Sequence, residues 1–151
     1  MALIRTEQTR YRRYRPAAKA ARTRARELAE EWQLTGMSDA LESAVSELVS
    51  NAVVHGRAAR GSRVTVTYRL ARDRGRLRLR VEVRDWATGM PQITWTACGN
   101  GDGTEGIPDI PESGRGLWMV AAIADQWGVI PRVIGKSVWF ELELAPAVGV
   151  S

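Results

Sequence analysis

Apolar residues recur at helical spacing in two segments near the start of the chain. The first apolar stripe comprises Ala21, Ala25, Leu28, Ala29 and Trp32. The second comprises Leu41, Ala44, Val45, Leu48 and Ala52. Because such a stripe buries one face of a helix, we predict helices over residues 16–32 and 39–55. Pro16 suits the first turn of the first helix, and Ser38 is expected to cap the second.

Two further segments alternate between apolar and polar residues, which is the pattern of a half-buried strand. Residues 64–70 and 77–83 both alternate in this way, and residues 71–76 between them read as a hairpin loop. After a gap without periodicity, the pattern predicts a third helix over residues 117–125.

Two last strands are predicted near residues 127–133 and 137–144. The order of these elements predicts an α+β fold. We expect a two-layer α/β sandwich, with a mixed, mostly antiparallel sheet and three helices on one of its faces.

Residues 92–113 form the one long stretch without periodicity, and they are rich in Gly and Pro. A loop of this length in a compact domain is usually functional or disordered, and we interpret it as a lid. The only cysteine, Cys98, lies within it and has no second cysteine with which to form an internal disulfide.

Length and composition are those of one globular domain, since the chain has 151 residues and is 44% hydrophobic. No apolar run reaches the roughly 20 residues of a membrane span, and the first residues lack the apolar core of a secretion signal. We therefore expect a cytoplasmic protein without a membrane partner.

The net charge of +5 is concentrated at the start of the chain. Nine Arg and Lys residues lie within the first 26 positions, and Glu7 is the only acidic residue among them. We interpret residues 1–15 as a basic N-terminal arm, residues 16–145 as the domain and residues 146–151 as a tail. Such an arm is typical of a solvated surface or of binding to acidic partners; we expect an acidic protein and no direct nucleic acid.

Glu47, Asn51 and His55 are spaced by four residues along the second predicted helix. They therefore share one face, at the border of the apolar stripe. An Asn carbonyl is a suitable Mg²⁺ ligand, and a neighbouring Glu can accept a proton from an attacking hydroxyl. An ordinary amphipathic helix with polar edges is the alternative interpretation.

Asp85 ends a predicted strand and is followed four residues later by Gly89. A buried carboxylate can accept a hydrogen bond from an exocyclic amine such as that of adenine. Glycine lets the backbone approach a flat base closely. A strand-ending Asp in a simple turn would show the same pattern.

Gly114, Arg115 and Gly116 precede the third predicted helix, where free backbone N–H groups form an anion site. The alternative is a glycine-rich helix entry without a ligand. Gly135 and Ser137 begin the last strand, where a hydroxyl could lie near a base or simply follow a hairpin turn. The P-loop pattern is absent, so a nucleotide would be held in another way.

In their order and spacing, these segments resemble the GHKL ATPases, which have the Bergerat, or histidine-kinase-like, fold. Within that family they resemble the small anti-sigma factor serine kinases. The matching segments are the N-box at residues 47–56, the adenine motif at 85–89, the glycine motif at 114–117 and the final glycine and hydroxyl motif at 135–140.

The resemblance implies ATP and Mg²⁺ as cofactors, with Glu47 as the general base and Asn51 as the metal ligand. It places Asp85 on the adenine amine. The residues that it assigns to nucleotide binding are Asn51, His55, Asp85, Gly89, Gly114, Arg115, Gly116, Leu117 and Ser137. Ala87 stands where the family usually has glycine, and Ser137 where threonine is common. Ala87 would narrow the base pocket and weaken nucleotide binding.

The resemblance also narrows the function. Histidine kinases carry a phosphoacceptor segment before this module, and none fits within the first 35 residues; gyrase-like relatives have a second domain. The expected activity is that of a serine/threonine kinase, transferring the ATP γ-phosphoryl group to a serine of an anti-anti-sigma partner. Such proteins also bind a sigma factor and commonly form homodimers. The alternative is a non-catalytic ATP-binding regulator, and the presence of Glu47 favours the kinase.

Overall fold

The helical stripes and alternating segments form the kinds of element that their spacing predicts. The structure, a computed structural model, describes residues 2–55, 63–86, 98–99, 115–132 and 135–144. Its helices are α1 (Pro16–Glu31), α2 (Ser38–His55) and α3 (Arg115–Ile123). Its strands are β1 (Ala2–Arg12), β2 (Arg63–Asp73), β3 (Arg76–Asp85), β4 (Cys98–Gly99), β5 (Gln126–Pro131) and β6 (Lys136–Leu144).

The strands in the described ranges form one six-stranded sheet in the order β1-β2-β3-β6-β5-β4. Every neighbouring pair is antiparallel. The predicted α+β class, with an antiparallel sheet and three helices, is therefore confirmed. In the same ranges, no helix is long and apolar enough to cross a membrane.

The core lies between the helices and one face of the sheet. Because side chains alternate along a strand, Val66, Tyr68, Val81 and Phe140 all point to this face, and all four are fully buried. The stripes of α1 and α2 and the buried side of α3 belong to the same apolar cluster. Burial of this cluster fixes which face of each strand is covered by helices, and hence where a polar residue must lie to reach the space between the layers.

The first strand corrects the interpretation of residues 1–15 as an arm that precedes the domain. Residues 2–12 instead pair with β2 along its whole length, at the edge of the sheet. The sequence hides this strand because its helix-facing positions include Glu7, Thr9 and Tyr11 in place of an apolar series. Glu7 is accommodated there because Arg24 of α1 pairs with it.

Several predicted boundaries shift by one to three residues. Ser38 has helical backbone angles and so belongs to α2 instead of capping it, since a short 3-10 turn, Thr35–Met37, leads directly into the helix. The predicted loop at 71–76 contracts to a two-residue turn, because Asp73 pairs with Arg76. Arg74 and Gly75 both have positive φ there, as hairpin turns of this length require.

Candidate functional site

A buried carboxylate marks the candidate site at the end of β3. The alternation that points Leu79, Val81 and Val83 towards the helices also points Asp85 that way. Asp85 is only 4% exposed. A carboxylate buried this deeply must be paired or hydrogen-bonded, because an isolated buried charge is very unfavourable. Asp85 is the residue for which the sequence predicts an amine-binding role.

Arg13, which follows β1, supplies that pairing. Its Nη2 atom donates to Oδ1 and Oδ2 of Asp85, at 2.6 Å and 2.7 Å. The same nitrogen donates a short hydrogen bond to the backbone carbonyl of Ala52, in the last turn of α2. The final carbonyls of a helix lack partners within the helix and carry its negative end, so a guanidinium is favourable there. One nitrogen atom thus joins the end of α2 to the end of β3.

The sequence analysis assigned Arg13 only to a basic arm, so it missed this residue as part of the site. Arg13 could have been identified only with knowledge of β1, because it continues the odd-numbered, helix-facing series of Thr9 and Tyr11. Its side chain is 7% exposed, so it is buried nearly as deeply as the carboxylate that it contacts.

A second cation that the sequence analysis missed lies opposite Asp85. Lys136 is the cross-strand partner of Asp85 in the pairing of β3 with β6, and it too is buried. Burial lowers the pKa of Lys136 from its usual value, and the charge of Arg13 lowers it further, while Asp85 partly opposes the change. The site therefore sets two basic side chains against one carboxylate, a local excess of positive charge.

Gly135 brings the turn before β6 against the backbone of Asp85. Its φ is +77°, and a Cβ atom added to it would lie 1.8 Å from the carbonyl oxygen of Asp85. Both the left-handed backbone and the close approach require glycine at this position. The final glycine motif of the sequence is thus in direct contact with Asp85, the first residue of the adenine motif.

The predicted polar line on α2 ends beside this centre. Glu47 and Asn51 are half-buried, and Asn51 immediately precedes Ala52, whose carbonyl contacts Arg13. The Nδ2 atom of Asn51 is buried and has no hydrogen-bond partner among the described residues. His55 is the last residue of α2, and its side chain lies outside the described part of the structure. A buried amide without a partner is uncommon and is expected where a ligand completes the site.

Ser137 does not join Asp85, although the sequence predicts both beside one base. Alternation along β6 turns Ser137 to the opposite face of the sheet from Lys136. There its hydroxyl accepts a hydrogen bond from Arg132 Nε at 3.1 Å. Burial alone would raise the pKa of Glu82, but hydrogen bonds from Ser137 and Arg132 outweigh it and hold that pKa below its usual value. Ser137 therefore belongs to an ion-pair cluster on the outer face.

The remaining predicted residues lie at or beyond the limits of the described ranges. Arg115, Gly116 and Leu117 form the first turn of α3, which begins two residues earlier than predicted. Gly89 and Gly114 lie outside the described residues. So does the predicted lid, except for Cys98–Gly99, which pairs with β5 as β4.

The described residues fit a magnesium-bound nucleotide at two points and oppose it at one. Asp85 supplies an acceptor for an amine on the helix-facing side of the sheet, and Asn51 supplies an amide whose Nδ2 atom has no partner in the described ranges. No group of three His, Cys, Asp or Glu side chains in the described ranges could hold a metal ion. Mg²⁺ at this site would take few protein ligands, as is usual when phosphates complete its shell. The opposition comes from Arg13, which holds the carboxylate.

Comparison with known proteins agrees with this arrangement. The model of one family, described as the histidine kinase-like ATPase domain, matches residues 9–141. A search of curated proteins finds no match to the chain. The family match includes α1, α2 and the strands that carry Asp85 and Lys136, and it begins within β1.

Proposed function

Because the chain belongs to the histidine kinase-like ATPase domain family, we propose that it is an anti-sigma factor serine/threonine kinase that uses ATP and Mg²⁺. One observation carries the placement of the site. The Nη2 atom of Arg13 lies within hydrogen-bonding distance of both the Ala52 carbonyl and the Asp85 carboxylate. The end of the helix that carries Glu47 and Asn51 is therefore adjacent to the strand end that carries Asp85.

In this proposal each region of the site has one task. ATP bound with Mg²⁺ supplies the γ-phosphoryl group. Asp85 would accept a hydrogen bond from the exocyclic amine of adenine, and Asn51 would turn its amide oxygen to the metal ion. The Nδ2 atom of that amide is buried and has no partner in the described ranges. The backbone N–H groups in the first turn of α3, from Arg115 to Leu117, face the phosphates, because they lack partners within the helix.

Glu47 is proposed to act as the general base. It lies one helical turn before Asn51 on α2 and is half-buried, so it is near the proposed metal ligand and still reachable by a substrate hydroxyl. Its carboxylate would take the proton of the partner's serine as that oxygen forms a bond to the γ-phosphorus and the bond to ADP breaks. The products are phosphoserine and ADP.

The proposed acceptor is a serine on an anti-anti-sigma protein, and the second proposed partner is a sigma factor. Exposed cations on β1, including Arg10 and Arg12, support a preference for acidic protein surfaces. We include a homodimer in the proposal because the resembling kinases commonly form one. A cytoplasmic location follows from the same proposed partners.

The nucleotide part of the proposal is tested by substituting the metal ligand. Asn51→Ala should weaken Mg-ATP binding about a hundredfold, because the site loses its one proposed protein ligand to the metal ion. Isothermal titration calorimetry measures this, with Ser50→Ala on the same helix as the matched control. Equal affinities for Asn51→Ala and the wild-type protein would contradict the assignment.

The transfer part is tested with γ-labelled ATP and candidate anti-anti-sigma proteins of the host. One of them should acquire label on serine, and Glu47→Gln should slow transfer by a factor of about 10² to 10⁴ while ATP still binds. Label transfer by Glu47→Gln at the wild-type rate would place the base elsewhere. Normal ATP binding with no label on any candidate would instead favour the non-catalytic regulator.

A further inference from the structure

Arg13 occupies the hydrogen-bonding atoms that the proposed function needs for adenine. Its Nη2 contacts both carboxylate oxygens of Asp85, and the two side chains are only 7% and 5% exposed. No base could approach the carboxylate closely in this arrangement, because the guanidinium fills the space between the end of α2 and the end of β3. A nucleotide and Arg13 therefore compete for the same place.

The guanidinium itself is poorly satisfied in that place. Nη2 makes all the hydrogen bonds that Arg13 has there, whereas Nε and Nη1 are buried and have no partner within the described ranges. A buried donor without an acceptor costs free energy that water would otherwise recover. The contact is therefore weaker than its short distances imply, and Arg13 has a reason to leave when a ligand offers Asp85 another donor.

Lys136 makes the departure of Arg13 tolerable. It is the buried cross-strand neighbour of Asp85, so the carboxylate still faces a cation when the guanidinium moves out. Departure also ends the repulsion between the two buried cations, which already lowers the pKa of Lys136. With both cations in place the site carries excess positive charge; with Lys136 alone it is balanced.

From these contacts we infer that Arg13 is an affinity-determining residue of the nucleotide site, acting as an internal competitor of adenine for Asp85. This inference rests on the proposed function, because it takes Asp85 as the adenine acceptor. The chain binds nucleotide only when Arg13 is withdrawn. Its apparent affinity is therefore reduced by the fraction of molecules in that state.

The test compares nucleotide affinity between two neighbouring arginines. Arg13→Ala should bind ATP about tenfold more tightly than the wild-type protein, which corresponds to about 1.4 kcal/mol. ADP should gain by the same factor, because Arg13 competes at the base and not at the γ-phosphate. Arg12→Ala is the matched control, since Arg12 is exposed on β1 and removes the same charge one residue away. Calorimetric titration of the wild type and both variants with ATP and with ADP gives, for each nucleotide, the affinity of each variant relative to the wild type.

Arg13→Gln is a second variant in case Arg13→Ala does not fold, because its amide can still donate to Asp85 without the buried charge. It should also bind ATP more tightly than the wild-type protein does. Equal or weaker ATP binding by both Arg13 variants, with ATP still binding the wild type, would overturn the inference and leave the proposed function intact. A loss larger for ATP than for ADP would make Arg13 a phosphate ligand instead. Absence of ATP binding in every variant and the wild type would overturn the proposed function and the inference with it.

Discussion

Two arginines of the N-terminal region make ion pairs across the helix and sheet layers, and they differ in how completely they are satisfied. Arg24 of α1 uses all three of its side-chain nitrogens, which donate to Glu7, Glu27 and Glu31. Arg13 uses one nitrogen and leaves two buried without partners in the described ranges. The Arg24 centre is also wetter, with Arg24 24% exposed and Glu7 26% exposed.

This difference distinguishes a structural ion pair from a candidate ligand-binding site. Arg24 joins β1 to α1, and each of its side-chain nitrogens has an acceptor. Water can replace any single partner at this position, so the Arg24 centre gives no sign of a missing ligand. The Arg13 centre combines deep burial, two cations and one carboxylate. Asn51, which precedes Ala52 on α2, has a buried Nδ2 atom without a partner in the described ranges. Natural proteins tend to break local rules of satisfaction at functional positions, because a ligand is part of the final structure there.

Removing the carboxylate charge at each centre gives the largest expected contrast. Asp85→Asn leaves the cations of Arg13 and Lys136 buried without a counter-charge, and should lower the free energy of unfolding by about 3 kcal/mol or more. Glu7→Gln should cost about 1 kcal/mol or less, because its pair is partly exposed and Arg24 keeps two other acceptors. Urea unfolding of both variants measures the difference. Equal costs would remove the distinction between the two centres.

Two glycines in turns, both with positive φ, extend the comparison. Gly135, beside Asp85, and Gly75, in the β2–β3 hairpin, have φ of +77° and +80°. A Cβ at Gly75 meets open space, whereas one at Gly135 collides with the carbonyl of Asp85. Gly75→Ala should therefore lower the free energy of unfolding by about 1 kcal/mol, from the positive φ alone. Gly135→Ala should lower it by about 2 to 3 kcal/mol, because the collision adds to the effect of φ.

The same urea titrations measure both glycine variants, and ATP affinity adds a second observation. Only Gly135→Ala should also change nucleotide binding, because the displaced turn moves the end of β3. A Gly75→Ala variant as unstable as Gly135→Ala would mean that the strain of positive φ, and not the contact with Asp85, explains the glycine at 135.

The sequence predicts most of the fold because most elements carry a one-sided apolar pattern. The stripes of α1 and α2 and the alternation of β2, β3 and β6 identify those elements to within a few residues. The sequence analysis misses β1 because an edge strand has little to bury, and its helix-facing positions are polar residues, of which Glu7 pairs with Arg24 of α1. The fact that Glu7 meets Arg24 depends on tertiary structure, and neither residue alone indicates it.

The site is predictable only where one residue type is tied to one local pattern. Asp85 at the end of an alternating strand indicates a buried carboxylate, and the structure has one there. Arg13 and Lys136 are just two of 22 basic residues, and only the pairing of strands brings them to that carboxylate. For Ser137 the position of the side chain differs from the prediction. Its motif predicts a place near Asp85, but the register of β6 turns its side chain to the other face of the sheet.

The smallest effect we predict concerns Lys136, the second cation of the site. Its pKa in the folded protein lies below the value of 10.5 for the exposed group, chiefly because burial disfavours its charge. Between those two pKa values the unfolded chain binds more protons than the folded one, so this group makes stability rise with pH in that window. Below it, the full cost of the buried charge is present.

Lys136→Met should remove that cost and stabilise the protein by about 1 kcal/mol at neutral pH, because the ammonium group no longer has to be desolvated and Asp85 keeps Arg13 as its partner. The advantage over wild type should shrink as pH rises towards 10.5, because the wild-type lysine then loses its proton. Urea unfolding of both proteins from pH 7 to 10 measures this, with Lys19→Met on the exposed side of α1 as control. A destabilised Lys136→Met would show instead that Asp85 needs both cations, and Arg13 could then not leave the carboxylate to Lys136 alone.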